Sequence, residues 1–313
     1  MQHRHASRAL EPYGQTMTPS APLSFAVLGP GGVGGLLAAL LSRAGDDVTC
    51  LAGASTVAAL RSAGLQVQSG RFGTFRVPIF AAERLEQPVD VCLVTVKATQ
   101  LDTALERVPA EVLGNALMVP LLNGVEHVAL LRSRYPRARV AAAAIRIEST
   151  RTGPGQVQHD SPFATVELCA GPGVQPLADR LSAAGLDVTV RENEREVLWG
   201  KLGFLAPLAL LTTHAGAPVG VVRESRREEL LAVVHEVAAV ARAEGATGDP
   251  GPVTAALDAL PPTMRSSMQR DAEAGRPLEL DALGGAVLRA AGRHGLELPV
   301  TARLVSELQA RNR

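Results

Sequence analysis

Apolar positions run in short unbroken blocks through the first half of the chain and in helically spaced stripes through the second. Residues 24–28 (SFAVL) read as a short buried strand, and residues 32–44, rich in Leu and Ala, as a helix. Residues 47–52 predict a second strand and 56–63 a second helix. Residues 65–69 and 74–80 predict a strand pair, 89–96 (VDVCLVTV) a strong apolar strand, 99–107 a helix and 116–122 a further strand. Strands alternating with helices predict an α/β fold whose parallel sheet is covered on both faces.

From about Val140 the pattern shifts to short strands (VAAAAI, QVQHD, ATVELCA, DVTV) separated by Gly/Pro turns. After Glu192 the apolar spacing is helical: 194–214, 224–245, 255–260, 262–275, 278–294 and 300–311. The expected division is a dinucleotide-binding domain over 22–192 and a mostly helical domain over 193–313. Residues 1–21, with Ser, Pro and Gln, read as a disordered extension, and Met17 is an alternative start. Residues 12–42 carry no charge and superficially resemble a signal peptide, but five glycines between 29 and 35 would break its apolar helix. A cytoplasmic protein is therefore expected.

Composition narrows the chemistry. Of 313 residues, 46% are apolar and only 3% aromatic, so the core must be built from Ala, Leu and Val. Lys plus Arg and Asp plus Glu both total 31, and zero net charge argues against a nucleic-acid partner. Of those 31 basic residues 29 are Arg; Lys97 and Lys201 are the two lysines. Arg stays protonated, whereas a Lys amine can be tuned to give or take a proton, which makes both lysines functional candidates. Cys50, Cys92 and Cys169 are widely separated and lack metal spacing, and the seven His show no paired motif. No metal site is expected. No run of about 20 consecutive apolar residues occurs, so no membrane span is expected.

Gly29, Gly31 and Gly34 form a G-x-G-x-x-G between a predicted strand and a predicted helix, the context that makes the motif informative. Gly29 suits a tight turn, Gly31 a close approach to a pyrophosphate, and Gly34 close helix–sheet packing. The N–H groups around Gly32 and Val33 then face the phosphates. These features predict a Rossmann-type domain. After the second strand, Leu51-Ala52-Gly53-Ala54-Ser55-Thr56 offers neither the acid that holds NAD ribose nor the Arg that holds the extra phosphate of NADP. Ser55 is a candidate phosphate contact, Arg61 lies nearby, and the NAD/NADP choice stays open.

Lys97 ends the apolar strand, and Asn123-Gly124 ends the next one; ligands of open α/β sheets bind at those strand ends. A solvated charge and a plain Asn-Gly turn are the simpler alternatives. Lys201 sits in Trp199-Gly200-Lys201-Leu202-Gly203-Phe204, where apolar neighbours should desolvate the amine and lower its pKa toward neutrality, as a general acid requires. A helix lysine reaching out to water is the plainer reading. Ser267 can donate to a substrate carboxylate, and Glu279 can pair with the lysine or a substrate hydroxyl; a helix-capping serine and an exposed glutamate are the simpler alternatives.

Taken together, the G-x-G-x-x-G, V-K-x-x-Q at Lys97, L-N-G at Asn123, W-x-K-L at Lys201 and S-S-M…E at Ser267 and Glu279 resemble the ketopantoate reductase (2-dehydropantoate 2-reductase) family in order and approximate spacing, over residues 24–311. The resemblance implies a Rossmann domain plus a helical domain with the active site between them. It implies NADPH-dependent reduction of ketopantoate to pantoate, on the route to pantothenate and coenzyme A. It makes Lys201 the general acid, has Glu279 orient lysine and substrate, and places Ser267 on the carboxylate. It puts Lys97 and Asn123 at the cofactor and substrate site. The family usually carries Asn four and eight residues after the catalytic lysine, where this chain has Leu205 and Ala209. The family's Arg after the second strand falls at Gly53.

The expected function is NAD(P)H-dependent reduction of a 2-keto acid, most simply ketopantoate, with NADH an alternative to NADPH. One alternative is a related reductase of a more apolar keto acid, and another is a non-catalytic dinucleotide-binding protein. The partners expected are a small keto acid, no nucleic acid and no membrane; a homodimer stays open.

Overall fold

A computed structural model describes residues 22–312. The expected extension over 1–21, with its alternative start, lies outside the described residues.

The first half runs β1 (Ser24–Leu28), α1 (Gly32–Arg43), β2 (Asp47–Leu51), α2 (Ala54–Ala63), β3 (Leu65–Ser69), β4 (Gly73–Val77), β5 (Phe80–Ala82) and β6 (Val91–Val94). A 3-10 turn at Ala98–Gln100 leads into α3 (Leu101–Leu105). Then come α4 (Ala110–Leu113), β7 (Leu117–Pro120), α5 (His127–Arg134), β8 (Arg139–Val140), β9 (Ala143–Gly153), β10 (Gln156–Cys169), α6 (Val174–Ala183) and β11 (Asp187–Arg191). Six strands form an all-parallel sheet in the order β5-β2-β1-β6-β7-β8. A second sheet runs β11-β10-β3-β4, with β9 antiparallel to β10.

Helix α1 explains the layering. Every residue from Gly34 to Leu41 is buried, because the helix lies between the two sheets. A helix apolar on all sides is one that is covered on all sides. Strand β1 divides its side chains accordingly: Phe25 and Val27 pack with α1, while Ala26 and Leu28 pack with Leu101 and Leu105 of α3 and with Leu131 of α5. Cys50 and Cys92 are buried within these layers, their thiols pushed up to about 12 by burial, and stay protonated at neutral pH.

The second half is helical: α7 (Glu194–Ala215), α8 (Val219–Ser225), α9 (Arg227–Ala243), α10 (Pro250–Ala259), α11 (Ser267–Glu273), a π turn at Asp281–Gly285, α12 (Ala286–Arg293) and α13 (Pro299–Arg311). Helix α7 is the hub. Among the described residues it alone is long and apolar enough to cross a membrane, yet Trp199, Leu202, Ala206 and Leu210 are buried against α9, α11 and α13. It is a core helix. Its other flank meets β9, and Val197 and Leu198 share a small apolar cluster with Val128, Ala142 and Ala144. Ion pairs Arg270–Glu148 and Arg289–Glu126 join the two halves beside this seam.

Several expected elements differ. The region expected to hold isolated short strands is one long hairpin of 11 and 14 residues. Its turn is at Gly153-Pro154-Gly155, and the segment 160–163 is an irregularity inside β10, where the register with β9 shifts between His159 and Ala164. There four residues of β10 (160–163) stand opposite one of β9 (Glu148), and extra residues on one strand bend a hairpin without ending it. Helices α5 and α6 lie where no helix was expected. The expected helix over 224–245 breaks at Arg226 (φ −135°, ψ 32°), and that over 278–294 begins as the π turn.

Candidate active site

The cofactor loop follows directly from backbone requirements. Gly29 has φ +88°, which L side chains rarely adopt, and a Cβ there would meet Val96 Cγ1 at 2.4 Å. A Cβ on Gly34 would meet Thr95 Oγ1 at 2.2 Å and the Gly29 carbonyl at 2.4 Å; on Gly32 it would meet the Ser149 carbonyl at 2.1 Å. Those glycines let α1 sit tightly between β6 and β9. Gly31 differs: its nearest neighbour to a Cβ is the Gly29 carbonyl at 3.9 Å, so its face is open. Thr95 clamps the loop, its Oγ1 lying 3.0 Å from the Leu28 carbonyl and 2.9 Å from that of Gly29. The first N–H groups of a helix lack intrahelical partners, and no acid stands in the first turn of α1, so Gly32, Val33 and Gly34 present an unopposed positive end. A cradle open at Gly31 and closed elsewhere fits a dinucleotide pyrophosphate. Ser55 is exposed in the first turn of α2, which likewise holds no acid.

The strand ends next to this loop meet the helical half at Glu279. This carboxylate is 6% exposed, although the simpler sequence alternative for it was an exposed position. It accepts from the Ala98 N–H at 2.9 Å on one oxygen and from Asn123 Nδ2 at 3.1 Å on the other. One side chain thus ties the loop after β6 to the loop after β7. Gly124 (φ +95°) allows the close approach, since a Cβ there would meet the Ala282 carbonyl at 2.8 Å.

Lys201 projects from α7 into the same place, and its Nζ lies 3.4 Å from the Leu122 carbonyl, one residue before Asn123. Burial pulls its pKa from 10.5 down to about 8; Glu279 pulls it back up, and Arg146 on β9 pushes it further down. The amine is therefore held where proton transfer near neutral pH is efficient. His127, at the start of α5, is buried and its Nε2 has no partner. Burial, assisted by the Lys201 charge, drives its pKa down to about 3, so it stays neutral.

Lys97 stands differently. Its Nζ lies 2.6 Å from Asp271 Oδ2, and the other Asp271 oxygen accepts from Arg276 Nε at 2.8 Å. Asp271 is buried, so Lys97 neutralises a helical-half carboxylate across the cleft. Ser267 is exposed at the first turn of α11; the serine that caps this helix is Ser266, which accepts from the Gln269 N–H and from Thr212. The structure therefore gathers Lys201, Glu279, Asn123 and the Lys97 loop, and leaves Ser267 and Ser55 outside that hydrogen-bonded set. Asp271, Arg146 and His127 were missed from the sequence. Of these only His127 carried a signal, four residues after Asn123. Among the described residues no three His, Cys, Asp or Glu side chains converge as a metal site would need.

The sequence family described as "Ketopantoate reductase PanE/ApbA" matches residues 25–170, and its C-terminal counterpart matches residues 193–312. A 2-dehydropantoate 2-reductase from Mycobacterium tuberculosis is 33% identical over 301 residues, 91% of this chain and 96% of that protein. An uncharacterized oxidoreductase, YkpB, from Bacillus subtilis is 28% identical over 298 residues, 92% of this chain and 98% of that protein. The crystal structure of a PanE/ApbA family ketopantoate reductase from Ralstonia eutropha superimposes with a TM-score of 0.82 at 29% identity, covering 92% of this chain and 97% of that one. A D-mandelate dehydrogenase bound to NADH and anilino(oxo)acetate shares the fold, with a TM-score of 0.83 at 23% identity, 92% of this chain and 98% of that one. With both of its halves matched by the family, the chain belongs to the ketopantoate reductase family and is an NAD(P)H-dependent oxidoreductase of small keto acids.

Proposed function

We propose that this enzyme reduces 2-dehydropantoate to pantoate with NADPH, in the cytoplasm, as a step toward pantothenate. The observation that carries the reading is the desolvated Lys201 amine, set beside a Glu279 that binds the two strand-end loops together. Gly31, Gly32, Val33 and Gly34 would hold the dinucleotide phosphates, and Ser55 would offer its hydroxyl as a further phosphate contact. The bound dinucleotide supplies the hydride.

The chain's own residues handle charge and proton. Lys201, in its ammonium form, hydrogen-bonds the substrate carbonyl oxygen, stabilises the negative charge that develops there, and donates its proton. Glu279 keeps the lysine charged by opposing the desolvation, and it fixes Asn123 against the substrate. Lys97 and Ser267 flank the site as positive charge and hydroxyl for the substrate carboxylate; Lys97 must share its ammonium with Asp271 to do so. Neutral His127 adds no competing charge beside Lys201. The buried free thiols are compatible with a reducing compartment, and a homodimer is the assembly we propose.

Leu205 favours a second reading. It stands one turn beyond Lys201, half-buried, where an Asn would offer a polar contact, and Ala209 is fully buried in the helical core. An apolar wall discriminates weakly against small changes in an alkyl group but loses any contact to a hydroxyl. A more apolar 2-keto acid would suit it. Initial rates followed at the nicotinamide absorbance over a panel of 2-keto acids decide between the two. The highest kcat/KM is expected for 2-dehydropantoate; a preference of about tenfold or more for analogues lacking the hydroxyl assigns the enzyme to the second reading instead.

A further inference from the structure

The carboxyl end of β2 lacks both usual selectors of the adenosine ribose, yet it is not without charge. Arg107, from the turn after α3, places Nη2 3.7 Å from where a Cβ on Gly53 would stand. The absence of a side chain at residue 53 leaves room for that guanidinium. It is anchored rather than loose. Its Nη1 donates to the Glu83 carbonyl at 2.8 Å, its own carbonyl accepts from the Leu85 N–H at 2.8 Å, and its N–H donates to the Ala104 carbonyl at 3.0 Å. Strand β5 lies beside β2, with the Ala52 N–H donating to the Ala82 carbonyl at 3.1 Å, so the Glu83 anchor sits at the same sheet edge.

Among the described residues no carboxylate pairs with Arg107, whereas the neighbouring Arg84 reaches Glu111. Arg61, which the sequence places near this strand end, donates its Nε to the Ala81 carbonyl. Gly53 itself caps α2 through its backbone, with no side chain to compete for the free N–H groups of the first turn.

We infer that Arg107 is the residue that selects a phosphorylated adenosine ribose, gripping the 2′-phosphate of NADP(H) from a different element than the one that carries the family's arginine. A planar guanidinium with one edge anchored to a carbonyl offers its other edge to a phosphate monoester in bidentate geometry. The absence of an Asp or Glu at the end of β2 leaves NAD without its ribose acceptor, so the preference is set from both sides. The inference rests on the dinucleotide reading of the glycine loop.

Calorimetric titration of the wild type, Arg107→Gln and Arg107→Lys with NADP+, NAD+, adenosine 2′,5′-bisphosphate and 5′-AMP tests it. The wild type should bind each 2′-phosphorylated ligand more tightly than its plain counterpart. Arg107→Gln should lose about 10- to 100-fold for NADP+ and the bisphosphate, the span of a charge-assisted contact, and less than about twofold for NAD+ and 5′-AMP. Arg107→Lys should retain part of the preference. Equal losses for both ligand classes, or a wild type with no 2′-phosphate preference, overturn the inference while leaving dinucleotide binding intact. A wild type that binds neither dinucleotide overturns the cofactor reading itself.

Discussion

Replacing Lys201 by Met should stabilise the apoprotein while abolishing its activity. Burial lowers the Lys201 pKa from 10.5 to about 8, so below pH 8 the native state holds a charge that the unfolded chain accommodates more easily. At about 1.4 kcal/mol per pH unit, that drop corresponds to roughly 3 kcal/mol of native-state destabilisation at pH 7. The sign follows from proton counts. The unfolded state binds more protons between pH 8 and 10.5, so the penalty is present below the folded pKa and fades as pH rises through that window. Met preserves volume and removes the charge, at the loss of one long hydrogen bond to the Leu122 carbonyl, about 1 kcal/mol. The net expectation is a gain of about 2 kcal/mol at pH 7, shrinking to zero or below by about pH 10. Urea unfolding of both proteins at pH 7 and near pH 10 measures it. A variant less stable than the wild type at pH 7, or a gap that does not narrow with pH, would show that Lys201 is not a strained, desolvated charge.

Other substitutions separate structural from binding roles. Gly34→Ala should destabilise by about 1–3 kcal/mol, because its Cβ lands on Thr95 and the Gly29 carbonyl, and thermal unfolding reads this directly. Gly31→Ala should leave the melting temperature nearly unchanged, since its face is open, and weaken dinucleotide binding in titration; the reverse pattern would reassign the two glycines. Glu279→Gln should lower kcat/KM by about 10- to 100-fold and move the alkaline limb of its pH profile to lower pH, because the charge that raises the Lys201 pKa is gone. An unmoved limb would place Glu279 outside the field of the lysine.

The sheet and glycine loop were legible in the sequence because local rules and global packing agree there. An apolar strand, a glycine turn and an Ala/Leu helix leave little choice, and α1 is apolar on every side for the same reason that it is central. The β9–β10 hairpin reads as fragments in the sequence because Gly/Pro signals mark turns and register shifts alike, and only cross-strand pairing tells Gly153-Pro154-Gly155 from the irregularity before Ala164. Helix α5 carries almost no amphipathic signal beyond Val128 and Leu131, so no apolar spacing marks it as a helix. Lys201 stood out because Arg serves every basic position except two. The partners of the site did not, since Asp271 reaches Lys97 across 174 residues and Arg107 approaches Gly53 from a separate element. Pairings of that kind are properties of the assembled sheet and cleft, which no spacing rule encodes.

The proton-donor role of Lys201 is most directly tested by the pH dependence of kcat/KM for 2-dehydropantoate reduction by the wild-type enzyme. With the free-enzyme amine at about 8, the rate should hold level through neutral pH and then fall about tenfold per pH unit above it. A profile that stays level to pH 10 would contradict the assignment of Lys201 as the proton donor.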